Sequence, residues 1–299
     1  MTLWQLRTFL AVAEAGSIRG AAAALFVSEP SVSAAVASLS RELGAPLTER
    51  VGRGIRLTEA GRELAGYAAR ILGLADRAGR AVREAAGRPG HLRIAAVTTA
   101  GEFVLPRLLA RFLARRPGTE VSLEVGNRAE TVARLLADQA DLAVAGRPPS
   151  GSGIRGEPFA ENLLVVVGPR DHPLAPRRGL PPERLSGETW LLREPGSGTR
   201  ENALGFLAAT GIEPGRVLTL GSNGAIVRAA GLGLGVAMLS LDAVAADLAS
   251  GRLARLRVRG TPLRRAWHAL TREGAPLPPS AVAFLGLLRS RGRGTAGAA

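Results

Sequence analysis

The chain has no cysteine and only three histidines among its 299 residues. Without cysteine it has no disulfide, no thiol nucleophile and no thiolate metal ligand. The histidines, His91, His172 and His268, lie far apart in sequence, with no second ligand at helical spacing. We therefore expect neither a metal site nor a cofactor.

Long apolar runs are also missing. The most apolar stretch, GLGLGVAMLSL, is short and rich in glycine, whereas a spanning helix needs about 18 apolar residues or more. The opening LWQLRTFLAVAEAGS lacks the basic start of a secretory signal, and Glu14 interrupts it. With 46% hydrophobic residues, the chain is expected to be a globular cytoplasmic protein of two or three domains without a membrane anchor.

Lysine is absent, so all 39 basic residues are arginine, and the formal net charge is +14. A basic chain invites a nucleic-acid interpretation. However, residues 1–90 have 12 arginines against 8 acidic residues, and most of the excess positive charge lies further along the chain. A GC-rich genome also explains arginine in place of lysine, so charge alone does not identify the partner.

Residues 1–58 have the pattern of a winged helix-turn-helix. The first helix has one apolar stripe, formed by Leu3, Leu6, Phe9, Leu10 and Ala13. Ser17 is a candidate N-cap for a second helix, and the inward face of that helix is expected to be Ala21, Ala24 and Leu25. Ser28 is the candidate N-cap of a third helix, reached through a three-residue turn.

The third helix has the features of a recognition helix. Its buried stripe is expected to be Val32, Val36, Leu39 and Leu43. The other face presents small side chains, which allow close approach to the major groove. The segment ERVGRGIRLT then predicts a two-stranded wing with arginines for phosphate or a narrow minor groove. The expected DNA-binding residues are Ser28, Glu29, Ser31, Ser33, Ala34, Ser38, Arg50, Arg53 and Arg56.

A long helix is predicted over residues 59–88, with Thr58 as its N-cap. Its apolar residues alternate at spacings of three and four, which is a heptad pattern. Such a seam needs a partner helix, so we expect a homodimer or a homotetramer. The seam residues are Leu64, Tyr67, Ile71, Leu74 and Ala78.

The order of these motifs resembles that of the LysR-type transcriptional regulators. The matching segments are LxxFLAVAExGS at Leu6 to Ser17, AAxxL at Ala21 to Leu25, SEPSVS at Ser28 to Ser33, the LG at Leu43, RxxR at Arg50 to Arg53 and LTxAG at Leu57 to Gly61. The resemblance implies a sequence-specific DNA-binding regulator and no enzymatic activity. Its partners would be a double-stranded operator, a small-molecule effector and, for an activator, RNA polymerase.

The chain departs from the family pattern at Glu29, Ala34 and Thr48, where the family usually has Gln, a longer polar residue and Phe. A carboxylate near phosphates weakens general affinity, unless it accepts a hydrogen bond from a cytosine amino group. We therefore hypothesise that recognition depends more than usual on the wing arginines and on DNA shape.

From His91 onwards, strands and helices alternate, which predicts two small α/β lobes with the chain crossing between them twice. Lobe I is assigned to residues 89–161 and 267–289, lobe II to 162–266, and a disordered basic tail to 290–299. The resemblance extends to about residue 289 and implies a two-lobed effector domain like a periplasmic binding protein. The expected fold class is α+β overall.

Three loops at strand ends are the candidate effector site, since such loops combine hydroxyls with free helix amides that bind anions. Their candidate residues are Thr98, Thr99, Ser197, Gly198, Thr199, Arg200, Ser222 and Asn223, and Arg147 in the segment GRPP is a further candidate that could supply positive charge together with Arg200. In ordinary loops the same residues are N-caps and turns. The segments TTAGEFVLPRLLARF, REPGSGTR and LGSNGAI resemble the subgroup that regulates carbon-fixation operons and sulfur assimilation, although Gly224 replaces its usual acidic residue. A phosphorylated or otherwise anionic metabolite is the expected co-inducer.

Two rival functions remain open at this point. A solute receptor has the same two-lobed fold, but it needs an export signal and does not need the first ninety residues. An α/β enzyme is favoured only by GLGLGVA, which precedes a strand, whereas the dinucleotide fingerprint follows one.

Overall fold

The computed structural model describes residues 1–52 and 54–295, with side chains described up to residue 290. Arg53 and residues 296–299 lie outside the described residues. The chain divides into two compact units, the first made of residues 1–88 and 136–140 and the second of residues 89–135 and the chain from 141 onwards. Each unit is described by itself.

The first unit has three short helices, a two-stranded wing and one long helix. These elements are α1 (Leu3–Ala15), α2 (Ile18–Leu25), α3 (Glu29–Leu43), β1 (Thr48–Val51), β2 (Gly54–Leu57) and α4 (Glu59–Ala85). The side chains of Ser17 and Thr58 accept the backbone N–H groups of Gly20 and Gly61, as expected of N-caps. Ser28 occupies the N-cap position of α3, but its side chain makes no capping hydrogen bond.

The helices of the first unit pack around two small apolar clusters. One joins Leu6, Phe9, Leu39, Leu47 and Ala68, and the other joins Val12, Ala21, Ala22, Val32 and Val36. Two predictions were wrong in detail. Ala24 is exposed and Ala22 is buried, because α2 is turned so that consecutive residues meet α1 and α3. Leu43 is 43% exposed, because it lies in the last turn before the left-handed Gly44 ends α3.

A close contact between α4 and the segment before the wing explains the glycine in LTxAG. A Cβ added at Gly61 would overlap the carbonyl oxygen of Leu47. Thr58 holds the same region, since its hydroxyl donates to the carbonyl of Pro46 over 2.6 Å and its N–H donates to the carbonyl of Leu47 over 3.1 Å. A side chain at position 61 would separate α4 from this loop.

The second unit consists of two α/β lobes. Lobe I contains β3 (His91–Val97), a π-helical turn (Ala100–Val104), α5 (Leu105–Arg115), β4 (Glu120–Gly126), α6 (Arg128–Leu136), β5 (Leu142–Ala145) and α10 (Pro279–Thr295). Lobe II contains β7 (Arg178–Leu180), a 3-10 turn (Pro182–Leu185), β8 (Thr189–Arg193), α7 (Gly198–Thr210), β9 (Arg216–Leu220), α8 (Asn223–Gly231), β10 (Ala237–Ser240), α9 (Leu241–Ala249) and β11 (Leu253–Val258).

Two long antiparallel strands, β6 (Ile154–Pro169) and β12 (Leu263–Arg272), run between the lobes. The main sheet has the order β4-β3-β5-β12-β6-β11-β7, with β10 also paired to β6. The first part of β6 pairs with β12 in lobe I, and its last part pairs with β10 and β11 in lobe II. In lobe II, Leu164 and Val166 face one apolar cluster while Val165 and Val167 face another, as the two-residue period of a strand requires.

The last helix extends further than the sequence predicted. α10 continues to Thr295, whereas a disordered tail was expected from residue 290. Phe284 and Leu288 are buried in the core of lobe I and anchor the middle of α10, so the following residues add to a helix that already exists. Residues 296–299 of the expected tail lie outside the described residues.

Within the described part of the chain, no single helix is long and apolar enough to cross a membrane. Only α2 and α3 taken together reach that length and composition, and they are bent by 109° at their turn.

Candidate effector cleft and DNA-binding face

A cavity of about 790 Å³ lies between the two lobes of the second unit, beside the crossing strands. Its walls include the ends of β3 and β5, the start of α7 and the middle of β12. This volume lies within the range of small-molecule sites. Six of the nine predicted effector residues line it, namely Thr98, Thr99, Arg147, Ser197, Gly198 and Thr199.

Arg200 and Ser222, two of the predicted effector residues, are not among the described residues that line the cavity. The guanidinium of Arg200 donates to the carbonyl oxygen of Arg193 over 2.7 Å and to Oγ1 of Thr219 over 3.3 Å. Its side chain therefore turns back along α7 and braces β8 and β9. The hydroxyl of Ser222 accepts the N–H of Ala225 and caps α8.

Arg193, which the sequence analysis missed, is the buried arginine of the cleft. It is 4% exposed and lies at the end of the apolar strand β8. Its Nη1 donates to Oδ1 of Asn223 over 2.9 Å, and its Nη2 makes a longer 3.4 Å contact with Oγ1 of Thr98. The sequence did contain a signal for Arg193, since it directly follows the apolar run TWLL. A charged residue at the end of a buried strand needs a hydrogen-bonding or charged partner.

Asn223 does not line the cavity, but it connects the lobes. Its side chain is buried, and its Nδ2 donates to Oγ1 of Thr99 over 2.8 Å. Because a guanidinium only donates, Oδ1 of Asn223 must face Arg193, which fixes the orientation of the amide. Asn223 therefore positions the cavity residues Arg193 and Thr99 without lining the cavity itself.

The charge of the cavity wall is of one sign. Among the residues that the structure describes, no aspartate or glutamate lines the cavity, whereas five arginines do: Arg128, Arg147, Arg193, Arg264 and Arg265. Of these, only Arg147 was predicted. The other four lie in strands or at the start of a helix, and the sequence does not show which way their side chains point. Such a wall attracts anions and disfavours cations.

Glu194 sits behind this wall and pairs with Arg193. The two side chains form a bidentate contact with distances of 2.7 and 2.8 Å. Burial alone would raise the pKa of Glu194, but the hydrogen bonds and charge of Arg193 leave that pKa below its usual value. The carboxylate therefore stays ionised and offsets the charge of Arg193.

His268 is a further cavity residue that the sequence analysis left unassigned. Burial lowers the pKa of its imidazole, and the nearby charge of Arg147 lowers it as well, against the opposing effect of a hydrogen bond to the backbone of Ala266. Its Nδ1 lies 3.0 Å from that carbonyl oxygen. Since a carbonyl only accepts, Nδ1 bears the proton in the neutral ring and Nε2 has the free lone pair.

The predicted DNA-binding residues lie mainly on the exposed face of α3. Ser28, Glu29, Ser31, Ser33 and Ala34 are all exposed. Ser38 is only partly exposed, and its hydroxyl accepts a hydrogen bond from Nε2 of Gln5 over 3.2 Å, so it faces α1.

The wing differs from the expectation at one of its arginines. Arg56 pairs across the hairpin with Glu49, at 2.9 Å and 3.0 Å, while Arg50 is exposed and Arg53 lies outside the described residues. An exposed pair of this kind contributes little to stability, so phosphate can replace Glu49 as the partner of Arg56.

The predicted seam of α4 divides into two sets. Leu64 and Ile71 are half-buried against the apolar cluster around Leu6 and Phe9. Tyr67 and Leu74 are 54% and 46% exposed, and Ala78 is exposed as well. Tyr67, Leu74 and Ala78 are therefore the part of the predicted seam that the described residues of the chain leave exposed.

No group of three or more potential ligand side chains that could hold a metal ion occurs among the residues described.

A helix-turn-helix unit followed by a two-lobed domain with a ligand-sized cleft defines the class of ligand-responsive transcriptional regulators. Residues 3–62 match the family model of the bacterial regulatory helix-turn-helix proteins of the lysR family. Residues 85–293 match the family model of the LysR substrate binding domain. The chain belongs to the LysR family. The family resemblance, the fold class and the expectation of a regulator rather than an enzyme are confirmed.

Three known proteins illustrate the similarity. A RuBisCO operon transcriptional regulator of Acidithiobacillus ferrooxidans is 38% identical over 288 residues, which span 95% of this chain and 92% of the relative. The regulatory domain of Synechocystis PCC6803 CcmR, solved in complex with 2-PG, is 35% identical with a TM-score of 0.65 and covers 68% of this chain and 97% of that one. Full-length CbnR, solved in complex with its target DNA, is 29% identical with a TM-score of 0.71. The match covers 97% of this chain and 100% of the CbnR chain.

Proposed function

We propose that this LysR-type regulator controls a carbon-fixation operon in response to a small phosphorylated acid that binds between its effector lobes. The observation that carries the proposal is the cavity wall, whose described residues include five arginines and no carboxylate. Such a wall favours a ligand with more than one acidic group, because each charge-assisted hydrogen bond to arginine adds affinity.

The relatives support the chemical class of this ligand. The CcmR regulatory domain was solved with 2-PG, and a RuBisCO operon regulator is similar along nearly all of its length. 2-Phosphoglycolate has a carboxylate and a phosphate, so it matches an arginine-rich wall at two points. The cavity of about 790 Å³ also admits larger phosphorylated acids.

We assign DNA recognition to the exposed face of α3 and to the wing, in the cytoplasm where the operator is found. The free part of the α4 seam would join two chains, as a homodimer or within a homotetramer, so that two recognition helices meet two half-sites. Effector binding would change the angle between the lobes and, through the linker helices, the bend of the DNA. If the protein activates transcription, RNA polymerase is a further partner.

Isothermal titration calorimetry tests the ligand. We expect 2-phosphoglycolate to bind the full-length protein, inorganic phosphate to bind more weakly, and the uncharged analogue ethylene glycol to give no heat. The reason is that only the first two have charges for the arginine wall. Equal or absent heat for all three compounds would contradict the effector assignment.

A DNA experiment tests the regulatory part. Footprinting on the intergenic region beside the gene should show a protected site, and circular-permutation gels should show a change in bend when 2-phosphoglycolate is added. A protected site whose bend does not respond would leave the chain a DNA-binding protein and remove the proposed mechanism.

A further inference from the structure

The five arginines of the cavity wall differ in whether a carboxylate neutralises them. Arg128 pairs with Glu201 at 2.9 Å, and Arg193 pairs with Glu194 at 2.7 Å. Arg264 on β12 pairs with Glu161 on β6. These three carboxylates are not part of the cavity lining, so each of them reduces the positive potential of the wall from outside.

Arg147 and Arg265 have no such partner. In the part of the chain that the structure describes, neither forms an ion pair with a carboxylate. Arg265 donates to Oδ1 of Asn202 over 3.2 Å and to the carbonyl oxygen of Arg264 over 3.1 Å, both of which are neutral acceptors. Arg147 is exposed, and its backbone oxygen accepts a hydrogen bond from Nη2 of Arg128 over 2.8 Å. The unbalanced charge of the wall therefore belongs to these two residues.

His268 lies with them on the same part of lobe I. It is three residues after Arg265 on β12 and pairs with Ala145 of β5, two residues before Arg147. With its Nδ1 bonded to the carbonyl of Ala266, its Nε2 is available to the cavity, as an acceptor when neutral and as a donor when protonated.

We propose that Arg147, Arg265 and His268 bind the most highly charged group of the effector, and that this cluster, rather than Arg200 or the buried Arg193, determines the selectivity for anions. This inference rests on the proposed function, in which the cavity binds an acidic metabolite. The hydroxyls of Ser197 and Thr199 are left for the remaining polar group of the ligand. Arg193 serves mainly to join the lobes, because each of its three nitrogens already donates to Glu194 or Asn223.

Adjacent arginines on β12 provide a matched test. Arg264 and Arg265 are neighbours in the chain and both line the cavity, so Arg264→Gln and Arg265→Gln each remove one positive charge from its wall. Of the two residues, Arg264 is the one that pairs with a carboxylate, that of Glu161. We expect Arg265→Gln and Arg147→Gln to weaken binding of 2-phosphoglycolate and of inorganic phosphate by about tenfold or more, since each loses a charge-assisted hydrogen bond. Arg264→Gln should weaken binding less, by about threefold, because Glu161 already occupies the guanidinium of Arg264.

The imidazole of His268 gives a second readout. The chain has three histidines, so the ring resonances can be assigned by single substitutions. Phosphate should raise the pKa of His268 in the parent protein and in Arg264→Gln, because a bound anion favours the imidazolium. The shift should be lost or strongly reduced in Arg265→Gln. Thermal melts and operator binding of each variant check that the fold and the DNA-binding unit are intact.

The outcomes separate this inference from the proposed function. If the parent protein binds the anions but Arg264→Gln loses as much affinity as Arg265→Gln, or Arg265→Gln and Arg147→Gln bind normally, the cluster assignment is wrong and the effector class stands. If the parent protein binds operator but neither anion, both the effector class and the cluster are wrong.

Discussion

At the scale of single residues, His268 makes the stability of the effector domain depend on pH. Burial and Arg147 lower the pKa of His268 below its ordinary value of 6.5, so the unfolded chain takes up this proton at a higher pH than the folded chain does. Stability from this residue is therefore present above about pH 6.5 and is lost as the pH falls below it. Other charges near His268 are Arg265 on its own strand and Glu157 on β6, and Arg289 holds Glu157 ionised.

We predict that His268→Gln reduces the loss of stability between pH 7.5 and pH 5.5. Urea unfolding at the two pH values measures the change, with the parent protein falling further than the variant. Glu157 does not obscure the comparison, because its pKa is lowered from 4.5 and it titrates below this window. An identical fall in both proteins would show that the imidazole is not held neutral in the folded state.

Gly61 is a second residue whose effect can be stated from its surroundings. Gly61→Ala places a methyl group against the carbonyl of Leu47, so we predict that it destabilises the first unit by about 1–3 kcal/mol. Gly66→Ala lies in the same helix with nothing within 4 Å of the added carbon, and it should stabilise by about 0.5–1 kcal/mol. Calorimetric melting of both variants measures the difference, and a Gly61→Ala protein as stable as Gly66→Ala would contradict the close contact.

Local features of the site were predictable, whereas side-chain directions were not. The hydroxyls of Thr98, Thr99 and Thr199 follow strands or begin helices, and these positions can be read from the pattern of the chain. Arg200 was preferred to Arg193 because it stands at a helix start. The structure turns Arg200 towards the carbonyl of Arg193, a contact with a strand that local sequence does not encode.

At the scale of elements, α4 has an apolar face that its own unit covers only in part. Leu74 and Tyr67 remain about half exposed, and we predict that Leu74→Glu prevents dimer formation because it places a charge in the seam. Arg83→Glu, an exposed position away from the seam, is the matched control. Sedimentation analysis at micromolar concentration should show monomers only for Leu74→Glu. A dimer that survives this substitution would place the association surface elsewhere.

The order of elements followed from sequence, but the length of β6 did not. The apolar run LLVVVG predicted only its second part. The strand begins at Ile154, because its first residues pair with β12 more than a hundred positions later. Such non-local pairing converts a polar stretch into strand without any periodic signal. The same pairing brings Arg264, Arg265 and His268 to the cavity, which is why these residues were missed.

At the scale of the whole molecule, effector and operator binding are expected to be coupled through one free energy. Thermodynamic linkage requires that, if 2-phosphoglycolate changes operator affinity by a given factor, operator changes 2-phosphoglycolate affinity by the same factor, typically about 5- to 150-fold. We predict matching factors from fluorescence anisotropy with and without the ligand and from calorimetry with and without saturating operator. Arg265→Gln should shift the response to higher ligand concentrations and leave operator affinity without ligand unchanged, because the substitution lies in the effector unit. Tight 2-phosphoglycolate binding with a factor of one in both experiments would contradict this coupling, because it would mean that effector and operator bind independently.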